Sequence, residues 1–184
     1  AVKILDGGWF TLALAAILAF FITTWHRGRN LMQEASHAEG VEIEGFLTLP
    51  SSRPKGQPVP LVVMPHGGPK GPYDSWGFDA EIQLLASRGY GVLQVNFRGS
   101  GNYGRDFLES GNRQWGSGMI DDILDATRWA VAQGHATAGR ICMYGASYGA
   151  YASLVAVARE PEMYACAIGN VGVYDMRRLV AEGS

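Results

Sequence analysis

No histidine follows position 135 in this 184-residue chain, and there are only four in all: His26, His37, His66 and His135. Cysteine is scarcer still. Two residues, Cys142 and Cys166, cannot build the multi-bridge framework of a disulfide-stapled domain. Each sits in an apolar, strand-like run and reads as a buried free thiol. Charge of one sign is also lacking. Fifteen Lys and Arg oppose 17 Asp and Glu, a formal charge of −2, so there is no basic excess for nucleic acid to meet. Nothing in the composition implies a metal or another cofactor. Long uncharged apolar runs are absent except for one, Trp9 to Trp25. What remains is a hydrophobic fraction of 47%, enough for the core of one domain.

The most informative stretch is Arg140-Ile141-Cys142-Met143-Tyr144-Gly145-Ala146-Ser147-Tyr148-Gly149-Ala150-Tyr151. An apolar run meets G-x-S-x-G, and a small-residue helical run to Ala158 follows at once. Strand, sharp turn and helix would hold the Ser147 backbone in strain and lift its hydroxyl clear of the sheet. Gly145 and Gly149 flank the serine because side chains there would collide as strand and helix approach. The bare motif is weak evidence among 25 glycines. In this context it marks Ser147 as a nucleophile, against the plainer reading of a Gly-rich turn.

A second motif agrees. Leu61 to Pro65 reads as a buried strand, and His66-Gly67-Gly68-Pro69 follows it. An α/β-hydrolase aims two backbone N–H groups at the developing oxyanion. One belongs to the residue after the nucleophile, here Tyr148. The other comes from a glycine loop after an early strand, here Gly68, with Gly67 next in order. A simple tight turn is the alternative.

The order HGGP, QLLASRGYGVLQVNFRGSGNYGRDF, WGSGMIDDILDATRWA, GASYGAY resembles the prolyl oligopeptidase family of serine peptidases. It is nearest the dipeptidyl- and acylaminoacyl-peptidase-like branch. The resemblance covers residues 39–184, with Ala150 where the family usually has a further glycine. It implies an α/β-hydrolase fold, a peptide or ester substrate, an acyl-enzyme on Ser147 and no cofactor. An esterase or lipase-like hydrolase is the alternative of the same chemistry.

The histidines set the difficulty. A serine hydroxyl needs a histidine base, and that base needs an acid to fix its tautomer. In this fold the order is Ser, Asp or Glu, then His, and every histidine here precedes Ser147. His66 belongs to the oxyanion loop in a structural role, and His135 lies at the end of the sheet away from the serine. Asp175 comes too soon and reads as a helix cap. The triad Asp and His are therefore expected to be absent. The domain is expected to be incomplete, its final strands missing and its apolar sheet edge open to self-association. A catalytically inactive, membrane-anchored fragment is a further alternative.

Residues 1–36 do not fit that picture. Trp9–Trp25 is 17 residues, at the lower limit for a bilayer span. Tryptophans end it and His26-Arg27-Gly28-Arg29 follows, favouring a cytoplasmic C-terminal side; a signal peptide or buried helix are the alternatives. DGGWFTLALAAILAFFITTWHRGRNLM resembles the last membrane helix of bacterial potassium-uptake permeases, with Thr11 in place of their proline. The expectation is an unrelated hydrophobic, membrane-contacting helix in 1–36 joined to a partial hydrolase domain in 37–184. The chain would then be cytoplasmic, or membrane-associated on the cytoplasmic side, and of bacterial origin.

Along the rest, Val41–Leu49 alternates as an outer antiparallel strand, and Pro50–Pro60 is a loop with four prolines. Further strands are expected at Gly91–Phe97, Arg140–Met143 and Tyr164–Ile168, with helices at Phe78–Ser87 and Met119–Gln133. Asp121 and Asp122 would complement the dipole of the latter helix. This alternation gives a mostly parallel sheet with helices on both faces. Gly99-Ser100-Gly101-Asn102-Tyr103-Gly104 spells a dinucleotide fingerprint, but the polar, glycine-broken RDFLESGNRQWGSG after it argues for a loop shaping the substrate pocket.

Overall fold

The computed structural model describes residues 13–17, 19, 29–33 and 40–175. Their strands form one six-stranded sheet in the order β1-β2-β4-β3-β5-β6. These are β1 (Arg29–Gln33), β2 (Glu44–Thr48), β3 (Leu61–Pro65), β4 (Gly91–Asn96), β5 (Ile141–Ala146) and β6 (Tyr164–Asn170). Strands β3 to β6 pair in parallel, and β2 and β1 extend the sheet antiparallel beyond β4. The expected mostly parallel α/β sheet is therefore present. It also takes in residues 29–33, which the sequence reading placed with the N-terminal segment.

Strands β3 (LVVMP) and β4 (GVLQVN) lie between neighbours and are buried except at half-buried Met64, as near-continuous apolar runs require. One face carries Leu47, Leu61, Val63, Leu93, Val95, Ile141 and Met143, which form the main core. Helix α3 (Gly118–Ala132) covers it with Met119, Ile120, Ile123 and Leu124, and helix α4 (Tyr148–Arg159) with Ala152 and Ala156. The alternating side chains, Val62, Val92 and Gln94, point to the opposite face. There helix α1 (Ala80–Ser87) packs through Ile82, Gln83 and Ala86. Asp79 caps α1 by accepting from the N–H groups of Glu81 and Ile82 at 2.9 and 3.0 Å.

Helix α2 (Arg105–Ser110) departs from expectation. It opens directly after Gly104, where the sequence suggested irregular chain. Phe107 explains it: its ring packs against the core and against Tyr103, 4.9 Å away. Asp122 departs too. It turns inward to a buried partner and is no dipole complement, while Asp121 pairs with Arg159 on α4.

The cysteines also correct the sequence reading. Cys142 and Cys166 are register partners on β5 and β6, with Cα atoms 4.7 Å apart, and they form a disulfide. Two separate apolar runs do not announce that they will lie side by side. The expected helix at 9–25 lies mostly outside the described residues. Within it, residues 13–17 and 19 are helical and exposed. Among the described residues no helix is long and apolar enough to cross a membrane. Strand β6 is one edge of the sheet, and Ile168 on it is 54% exposed.

The disulfide closes a loop with a sequence separation of 24. Thiol titration of the denatured, unreduced chain should find no free cysteine, and two after reduction. Urea unfolding should show the reduced form less stable by about 3 kcal/mol. Two titratable thiols before reduction would restore the free-thiol reading.

Candidate active site

Ser147 caps α4 with φ 54° and ψ −121°, a conformation that a residue with a side chain adopts only under constraint. The constraint comes from both sides. The Ser147 N–H donates to the Asn170 carbonyl at the end of β6 (3.0 Å). Its own carbonyl accepts from Ala150 (3.1 Å) and Val173 (3.5 Å). The side chain is exposed at the tip of the turn. The flanking glycines are required by contact. A Cβ on Gly145 would run into the Gly149 backbone, and one on Gly149 into the Pro65 carbonyl oxygen, both far inside van der Waals distance. The start of α4 thus lies directly against the end of β3.

That contact brings the two sequence motifs together. A Cβ on Gly67 would stand 3.4 Å from the Ala146 carbonyl oxygen and 3.5 Å from Ser147 Cβ. The glycine loop after β3 is therefore the immediate neighbour of the turn that carries Ser147. Gly68 follows with φ 130°, a value that side chains rarely adopt. Tyr148 is the first residue of α4, so its N–H has no acceptor within the helix. Its ring is buried against Phe97, Trp115 and Tyr151, and its hydroxyl donates to the Trp115 carbonyl at 2.6 Å. Burial, with Tyr151 and Asp122 nearby, pushes that phenol well above its ordinary pKa, so it stays neutral.

Neither described histidine is hydrogen-bonded to Ser147. His66 Nδ1 lies 2.8 Å from the Gly67 carbonyl, which can only accept, so Nδ1 carries the proton. Nε2 faces the Ser100 hydroxyl at 2.8 Å, and the ring stacks on Phe97 with centroids 4.3 Å apart. Burial lowers its pKa, outweighing the opposite pull of the Gly67 carbonyl, so the ring is neutral at pH 7. His66 braces the glycine loop, in agreement with its expected structural role. His135 follows α3 and faces Arg53, 3.3 Å from its guanidinium; its carbonyl accepts from Val59 just before β3, at the opposite end of the sheet. Burial and that cation lower its pKa. His26 and His37 lie outside the described residues, and so does the helix that Asp175 was expected to cap.

The sequence reading missed the group that positions the loop after β4. Arg98 is buried, and its Nε and Nη2 donate to Asp122 at 2.9 and 2.8 Å. The Arg98 backbone N–H donates to the same carboxylate at 2.8 Å. A side chain on Gly118 would strike the guanidinium, within 2.8 Å of Nη1. This pair ties α3 to residues 98–101. That loop in turn holds the segment after the glycine loop through Gly71 N–H to Gly99 O (3.0 Å) and Gly101 N–H to Pro72 O (3.2 Å). The paired signal in the sequence was an arginine after a strand and an acid on the inner side of an amphipathic helix.

A parallel sheet crossed by helices on both faces, with a strained serine at a strand–helix turn beside a glycine loop, defines the α/β-hydrolase class. Comparison with known proteins narrows it. The family model described as "Prolyl oligopeptidase family" matches residues 76–184, and the chain belongs to that family of serine peptidases. Dipeptidyl aminopeptidase BIII of Pseudoxanthomonas mexicana is 40% identical over 154 residues, covering 80% of this chain and 22% of that protein. The acylamino-acid-releasing enzyme of Sus scrofa is 36% identical over 141 residues, 75% of this chain and 19% of that one. Among solved structures, a Mycobacterium tuberculosis puromycin-hydrolyzing peptidase superposes with a TM-score of 0.76 at 28% identity, over 86% of this chain and 24% of that one. The chain thus spans about a quarter or less of the length of these relatives.

Three substitutions test the geometry. Gly149→Ala gains helix propensity but drives a methyl into the Pro65 carbonyl, and should lower stability by about 2 kcal/mol. Gly77→Ala, where a Cβ meets nothing within 4 Å, should stay within about 0.5 kcal/mol. Asp122→Ala removes the carboxylate shared by Arg98 Nε, Nη2 and backbone N–H, and should cost about 3–5 kcal/mol in denaturant unfolding.

Proposed function

We propose that this chain carries the nucleophile and oxyanion-binding part of a serine peptidase site of the prolyl oligopeptidase type. The observation that supports it best is Ser147 at φ 54° between two contact-enforced glycines, with Gly67 packed against it. In this reading Ser147 Oγ attacks a peptide carbonyl. The N–H groups of Tyr148 and Gly68, with Gly67 next in order, stabilise the negative oxygen of the tetrahedral intermediate. The amine leaves with a proton, and water then hydrolyses the acyl-enzyme. The same steps serve esters. Neither described histidine is placed as the base for Ser147: His66 is engaged by the Gly67 carbonyl and Ser100, and His135 faces Arg53 at the other end of the sheet. The names of the relatives, dipeptidyl aminopeptidase and acylamino-acid-releasing enzyme, support a short N-terminal unit of a peptide as the substrate class.

With neither described histidine serving Ser147 as a base, deacylation is slowed along with acylation, so an acyl-enzyme should accumulate. Incubation with p-nitrophenyl acetate followed by peptide mapping should place an acetyl group on Ser147. The Ser147→Ala variant should lack it, and peptide amides should remain at the background rate in both. Equal acetylation of both proteins, spread over surface lysines, would remove Ser147 from the reaction.

A further inference from the structure

On the α1 face of the sheet lies a cleft of about 190 Å³ whose described lining includes no residue of the Ser147 turn or of the glycine loop. Tyr73, Asp74, Phe78, Asp79 and Gln94 line it. Two acceptors in it have no partner. Gln94 is only 8% exposed, and its Oε1 is buried without a hydrogen bond. Asp74 Oδ2 is likewise buried and unpaired. A buried acceptor left unsatisfied costs free energy, and a charged one costs more. These atoms are fixed in place. The Asp74 N–H donates to Asn96 Oδ1 at 2.8 Å, and Asn96 Nδ2 donates back to the Asp74 carbonyl at 2.9 Å. Gln94 and Asp74 interact through their side chains, and both residues line the cleft.

We infer that this cleft is a binding site for a guanidinium group, of the kind an arginine side chain of a peptide presents. The two open positions are both acceptors, which a planar fork of N–H donors satisfies together. The rings of Tyr73 and Phe78 at the rim are half exposed and offer faces to a cation. Two of the five side chains named are carboxylates, and no Lys or Arg is among the described lining residues.

The titration of Asp74 gives the site a pH dependence. Burial, and to a lesser extent the Asp79 charge, raise its pKa to about 6, against the opposing hydrogen bond from Gln94. Its other ionisable neighbour is Tyr103, which donates to Glu44 and is held neutral by burial and by that carboxylate. A bound cation favours the ionised carboxyl. Binding is therefore strongest above pH 6 and is lost as pH falls through the raised value.

Titration of the intact chain with agmatine, followed through the Gln94 side-chain amide signals by NMR, tests this without reference to Ser147 chemistry. Saturable shifts with a dissociation constant of about 1 mM are expected at pH 7.5. The neutral comparator N-pentylurea should bind at least about tenfold more weakly, and so should agmatine to Asp74→Asn. Agmatine affinity should also fall on going from pH 7.5 to pH 5. Absence of Gln94 shifts in the wild-type chain, equal binding of the urea, or agmatine affinity independent of both pH and Asp74→Asn would overturn the assignment. The wild-type arms decide the matter even if the variant folds poorly.

Discussion

The approach of Gly149 to the Pro65 carbonyl oxygen is the contact on which the site depends. A helix that begins in contact with the end of a neighbouring strand cannot carry a side chain at that point. Because Gly145 meets Gly149 in the same way, the chain must reverse within the three residues between them. The reversal is what puts Ser147 at a positive φ and leaves its hydroxyl exposed. It is also what sets the glycine loop after β3 beside the serine, since that loop starts one residue beyond Pro65. One steric requirement thus fixes the strain, the exposure and the neighbour.

The strain needs support, and the support is distributed. On one side β6 accepts the Ser147 N–H through Asn170, and β6 is held to β5 by six register pairs and the Cys142–Cys166 bridge. On the other side the loop after β4 is held by Arg98 and Asp122. Ser100 in that loop faces His66, and His66 holds the Gly67 carbonyl. A buried pair such as Arg98–Asp122 is weak evidence for net stability, because desolvation offsets attraction. Its structural effect is plainer. Three donors on one residue converge on one carboxylate, so the backbone of the loop has one position relative to α3.

The α/β order, the strained Ser147 turn and its neighbouring glycine loop were legible because each rests on local signals. Leu61–Pro65 and Gly91–Asn96 are apolar runs bounded by turn residues, and G-x-S-x-G follows a strand and opens a helix. Other features depend on what lies across space. Cys142 and Cys166 become partners only through the register of β5 and β6. Asp122 looks like a first-turn acid until Arg98, 24 residues earlier, is seen beneath it. Residues 29–33 have no strong alternation and are recruited as a strand by β2. The short helix after Gly104 was hidden by its polar sequence, in which Phe107 supplies the contact with the core.

The two faces of the sheet obey different physics, and that difference explains where polar groups gather. Under α3 and α4 the side chains interdigitate as an apolar core, and the main charged group there, Asp122, is fully bonded. Under α1 the register places Glu44 opposite Asn96 and Phe46 opposite Gln94. Polar side chains therefore recur along the inner surface of β2 and β4. Gln83 on α1 is buried above them with neither of its side-chain atoms hydrogen-bonded. A helix chosen only for packing would place an aliphatic residue there, since an amide stripped of water without partners costs about 1–3 kcal/mol. Such groups gather on the α1 face, where the cleft proposed to take a guanidinium lies.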